Sequence, residues 1–141
     1  MKTVKDIMRQ ALINGACSKS EGVTDWKTLA WLFFTPQGME FCENTNTPTL
    51  NEFREMDSCI SEFGVFVDKG EINRSNDANI ALIGNTHGRL VFDDSTKVHK
   101  VILMHGAKAF IVARNYAVVR LVNIGDCDVK ISNDKTSIVL K

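Results

Sequence analysis

Three histidines, four cysteines and two carboxylate pairs are the residues of this 141-residue chain with the clearest capacity for chemistry. A metal site needs three or four ligands in defined geometry, held by oriented partners. His87, His99 and His105 share one stretch of the C-terminal half, and stacked strands could bring His87 toward His105. His105 nonetheless reads as a turn residue before Gly106, and His99 as an outward position in an extended run. Cys17, Cys42, Cys59 and Cys127 fall at no CxxC or CxxH spacing and read as reduced, mostly buried thiols. No serine or cysteine has a recognisable base beside it, as nucleophilic catalysis requires. Asp93 with Asp94, and Asp126 with Asp128, could form acid–base pairs but read more simply as turn caps. The dispersed glycines form no phosphate loop. No catalytic, cofactor-binding or metal-binding set is assigned, and the chain is expected not to be an enzyme. Arg114, Tyr116 and Arg120 are the candidate interaction surface, since Arg and Tyr make efficient contacts.

Seventeen basic residues balance seventeen acidic ones, so the cationic excess that drives phosphate-backbone binding is missing and no nucleic-acid partner is expected. The balance conceals an asymmetry. Residues 1–63 carry six Lys/Arg against nine Asp/Glu, and residues 64–141 carry eleven against eight. These halves could attract each other within one chain or head to tail between chains. The apolar run at residues 29–34 is too short to span a bilayer, so no membrane partner is expected. No secretory signal is recognised, and the expected location is the cytoplasm of a bacterial host cell, or a virion.

The elements that must position these residues change character near Gly64. Before it, apolar residues recur at helical spacing; after it, short apolar runs are broken about every ten residues by Asn, Asp, Gly or His. A first helix is expected from a Thr3 cap to Gly15, and a second from a Thr24 cap through Trp26, Leu29, Ala30 and Phe33. Thr35-Pro36 reads as cap and first position of a third helix. Thr49 and Glu52 match a capping box opening a fourth. Trp26, Trp31, Phe33, Phe34 and Phe41 could line a partner groove but are expected to pack against the β layer.

From Gly64 the expected strands are 64–70, 80–83, 89–92, 98–104, 107–113, 117–122, 129–132 and 137–140, with residues 73–77 as loop. A repeat of one strand plus one turn about every ten residues suits a β-solenoid of two or three such units per coil. The alternative is a small antiparallel sandwich or meander, or a small barrel. The expected architecture is therefore α+β: a helical cap of three to four short helices over residues 1–63, and a β-solenoid over 64–141. A solenoid must protect its ends. The helices are placed to cover one of them, and the uncovered C-terminal end makes a homo-oligomer the expected state.

Thr35-Pro-Gln-Gly-Met-Glu-Phe-Cys42, Gly64-Val-Phe-Val-Asp68, Ile83-Gly-Asn-Thr86 and Met104-His-Gly-Ala-Lys-Ala109, with Asn115-Tyr-Ala-Val-Val119, resemble a group of small uncharacterised proteins from gut Bacteroidales and their phages or mobile elements. The similarity runs over most of the chain. It implies a bacterial or phage setting and carries over no site residue. The expected function is a non-enzymatic protein-interaction or structural module without cofactor. The alternative is a phage or mobile-element effector that sequesters a small molecule or inhibits a host defence protein.

Overall fold

The computed structural model describes residues 26–46 and 48–141; the expected first helix and the Thr24 cap lie outside them. Helix α1 spans Trp26–Phe33, α2 Pro36–Thr45 and α3 Leu50–Ile60, followed by a 3-10 turn at Ser61–Phe63. The starts of α2 and α3 are fixed by the expected caps. Thr35 Oγ1 accepts the amide of Gly38 at 3.0 Å, ahead of Pro36. Thr49 and Glu52 bond reciprocally, side chain to backbone, at 3.0 and 3.2 Å. These contacts satisfy amides that the helix itself leaves unpaired.

Nine strands follow: β1 Val65–Val67, β2 Gly70–Ser75, β3 Asn79–Ile83, β4 Thr86–Phe92, β5 Val98–Met104, β6 Lys108–Ala113, β7 Val118–Asn123, β8 Asp128–Asn133 and β9 Ile138–Leu140. They form a five-stranded sheet, β1-β3-β5-β7-β9, and a four-stranded sheet, β2-β4-β6-β8, in which every ladder is parallel. Parallel ladders between alternate strands make this a two-sided β-solenoid of about four turns and exclude the meander. Val65 pairs with Ala81 sixteen residues on, Asn79 with Lys100 twenty-one on, and Val98 with Val118 twenty on. A coil is thus two of the ten-residue units. Residues 73–77, expected as loop, belong largely to β2, whose backbone is held by the ladder to β4 although Ile72 is its single large apolar residue.

The core lies in two layers. Ile80, Leu82, Leu90, Phe92, Val101, Leu103, Ile111, Val119 and Leu121 fill the space between the sheets. Alternate residues Ala81, Ile83, Ile102 and Met104 point outward, where Leu29, Phe33, Phe34, Met39, Phe53, Met56 and Ile60 cover them. The helices therefore cover the early coils from the flank, over the outer face of the five-stranded sheet. Residues 80–83 of β3 and 101–104 of β5 are buried on both faces and are accordingly apolar without a break, whereas β6 alternates. Trp31, expected in the core, stands 62% exposed on α1.

The two ends of the solenoid differ. At the first coil Arg74 shares its register with the inward residues Leu90, Ile111 and Ile131. Its guanidinium lies 5.6 Å from the Phe66 ring centroid and bonds Asp77 at 2.8 and 2.9 Å, closing the apolar interior with a charge. At the last coil Val129, Ile131 and Val139 pack against the core and are only partly buried.

Candidate functional site: a groove on the four-stranded sheet

The outer face of the four-stranded sheet carries no helix among the described residues, and strand register aligns its side chains in rows. Glu71, His87, Lys108 and Asp128 occupy one row; Asn73, Arg89, Phe110 and Lys130 occupy the next. Neighbours within a row are about 4.8 Å apart, the interstrand spacing. The rows form the walls of a shallow groove of ≈ 390 Å³ crossing the strands, with Gly88 and Ala109 in its floor. Those two residues also face inward, and a Cβ on Gly88 would stand 2.6 Å from Leu82 Cδ1. Glycine there lets the sheets approach closely beneath the groove.

The charge along the groove is uneven. Arg89 and Lys108 stand on the two middle strands, Glu71 on β2 at one end, and Lys130 together with Asp128 on β8 at the other. Phe110, 40% exposed, sits between Arg89 and Lys130 in one row. Elsewhere five cations are paired, Arg54 with Asp68, Lys69 with Asp57, Arg74 with Asp77, Lys97 with Asp94 and Arg114 with Asp93, while Arg120, Lys135 and Lys141 are in none of these pairs. Among the described residues, Arg89, Lys108 and Lys130 form no ion pair. Such a surface can recognise a ligand by charge-assisted hydrogen bonds and by stacking on the ring.

The three residues expected as an interaction surface are not brought into this groove. Arg114 lies in the turn after β6, 3.7 Å from Asp93. Tyr116 stands in the same turn with its side chain exposed, and its amide donates to Thr136 Oγ1 at 3.0 Å. Arg120 is on β7, in the outer row with Asn79 and Lys100. It lies four residues beyond Tyr116, past the turn that precedes β7.

The turns are held by aspartates. Asp134 accepts from the Thr136 hydroxyl at 2.7 Å and from the amides of Thr136, Ser137 and Asn115, which hold its carboxyl down at about 2. Asp94 repeats the arrangement with Thr96, which likewise lowers its pKa. Asp68 is lowered by Arg54, 2.6 Å away, and by the Asn85 amide. Asp93 and Asp94 thus serve corners, and Asp128 stands on the groove wall.

The histidines occupy three separate places. His87 is on the groove wall. His99, expected to face outward, is fully buried between the sheets, its ring nitrogens 2.9 Å from the carbonyl oxygens of Asp77 and Asp94 and its ring 4.8 Å from that of Phe92. His105 takes a turn conformation with φ 57° and bonds the Pro48 carbonyl at 2.8 Å, tying the solenoid to the helical layer. Of the thiols, Cys42 and Cys127 are buried and Cys59 is half-buried; Cys17 lies outside the described residues. Burial pushes the Cys42 thiol up to about 12 and raises that of Cys127. No helix among the described residues is long and apolar enough to cross a membrane. Compared with known proteins, the chain matches no protein-family model, no curated protein and no solved structure.

Proposed function

We propose that this protein is a non-enzymatic interaction module of a bacterial or phage/mobile-element system, acting in the cytoplasm through the open face of its four-stranded sheet. The observation that carries this reading is the contrast between the two sheets. The helices cover the early strands of one, over Ile83, Ile102 and Met104, and leave Val98, Ile138 and Leu140 exposed further along it, whereas the other carries no helix among the described residues and presents Arg89, Phe110 and Lys130 in a single row on a filled body. A preformed surface of this kind loses little conformational entropy on binding. The groove is open along its length, which supports a macromolecular partner over sequestration of a small molecule. Inhibition of a host defence protein would use the same surface.

The test is affinity capture from host lysate with the full chain as bait, comparing the unaltered protein with Phe110→Asp and with Tyr116→Ala. A partner retained by the unaltered protein and by Tyr116→Ala, and lost with Phe110→Asp, is the expected result. Retention by Phe110→Asp would overturn the assignment to this face.

A second reading, self-association, is favoured by the last coil. Strands β8 and β9 are terminal in their sheets, and Val129, Ile131 and Val139 are incompletely covered. Since Arg74 blocks the other end, pairing of last coils would close as a dimer. Light scattering that gives a monomer at all concentrations would exclude it.

A further inference from the structure

We propose that the groove binds a short, extended acidic segment of a partner protein, with carboxylates on either side of one apolar side chain. This rests on the open sheet face being the binding surface and adds the chemistry of what it takes. Arg89 and Lys130 flank Phe110 in one row, and Lys108 faces that row from the opposite wall. The two flanking cations are two rungs, about 10 Å, apart at the backbone. In an extended peptide, residues on one side of an apolar position and two removed from it are about 13 Å apart, a span that the long Arg and Lys side chains close. The apolar side chain then rests on the Phe110 ring while the flanking carboxylates meet Arg89 and Lys130.

The ends of the groove set its selectivity. A uniformly charged chain, whether nucleic acid or acidic polysaccharide, would pass beside Glu71 and Asp128, which stand at opposite ends of the wall facing the Arg89–Phe110–Lys130 row. Like-charge juxtaposition rejects such a ligand, whereas a peptide whose charge is confined to a few residues escapes it. Arg89, Lys108 and Lys130 attract; Glu71 and Asp128, in the wall opposite the Arg89–Phe110–Lys130 row, limit the acidic charge accepted.

The test is fluorescence anisotropy with the full chain and a labelled synthetic peptide Gly-Ser-Glu-Ser-Phe-Ser-Glu-Ser-Gly. It is compared with the same peptide carrying Lys for Glu, with an all-Glu peptide of equal length and with a single-stranded oligonucleotide. The Glu-Phe-Glu peptide is expected to bind about tenfold or more tightly than the other three. Arg89→Ala and Lys130→Ala, both exposed positions checked for folding by circular dichroism, are expected to weaken it about fivefold or more. The double change Glu71→Lys with Asp128→Lys is expected to raise all-Glu binding about tenfold. No binding of the Glu-Phe-Glu peptide, indifference to Arg89→Ala, or preference for the oligonucleotide would each overturn the proposal. If the peptide fails while partner capture still depends on Phe110, the acidic class alone is wrong; if capture fails as well, so is the choice of face.

Discussion

Arg89 on β4 and Phe110 on β6 are register partners across a parallel ladder, and both side chains stand on the open face of the four-stranded sheet. The next residue, Ile111, points the other way and is fully buried. A strand shifted by one residue would exchange these environments, so the pair Phe110 and Ile111 reports register directly. Phe110→Ala is expected to change stability by no more than about 0.5 kcal/mol. Ile111→Ala, which leaves a cavity between the sheets, is expected to cost about 2–5 kcal/mol. Urea unfolding of the two variants checks the contrast.

The junction between helices and solenoid turns on Gly64. Its φ is +89°, and a Cβ there would stand 2.6 Å from the carbonyl oxygen of Asn79, a backbone atom fixed in the next coil. The left-handed conformation alone costs an L residue about 1–2 kcal/mol. Gly64→Ala is therefore expected to lose at least that amount, because Asn79 must also shift; the denaturation midpoint measures it.

Much of this architecture is legible in residue order, and the gaps have physical causes. Thr49 and Glu52 announce α3 because a capping box needs only local spacing. The run 80–83 is continuously apolar and Lys108–Ala113 alternates, which separates a strand buried on both faces from one with an open face. That double burial also hides side-chain parity within Val98–Met104, so His99 reads as outward when it is inward. Strand β2 is missed because ladder hydrogen bonds, not apolar side chains, hold it. The groove escapes for a different reason. Arg89, Phe110 and Lys130 lie twenty-one and twenty residues apart, and nothing marks them as neighbours until the coil length is known.

Acid should weaken the corners. The Asp134 carboxyl is held at about 2 by Thr136 and the surrounding amides, below the ordinary range near 4 that it has in the unfolded chain. Between those values the unfolded state binds more protons, so this stabilisation is fully present above about pH 4 and is lost as pH falls toward 2. Asp94 and Asp68 are lowered too and act in the same direction. Denaturation midpoints should therefore drop across that window. Asp134→Asn should be less stable at neutral pH and show a shallower fall in acid; an unchanged pH profile would contradict the role of this corner.

Thiol reactivity should divide by burial. Cys42, pushed up to about 12, and the buried Cys127 should resist iodoacetamide in the folded chain, whereas half-buried Cys59 should be modified before either of them. Peptide mapping by mass spectrometry before and after unfolding in urea gives the order. Early alkylation of Cys42 would mean that the layer between helices and sheet opens readily.

The most direct measurement on the groove is an amide chemical-shift map of the labelled protein titrated with the Glu-Phe-Glu peptide. The predicted result is saturable shifts concentrated at residues 87–89, 108–110 and 128–130, with Arg114, Tyr116 and the helices unmoved. Shifts centred on the turn at Arg114–Tyr116, or no saturable shift anywhere, would contradict the account.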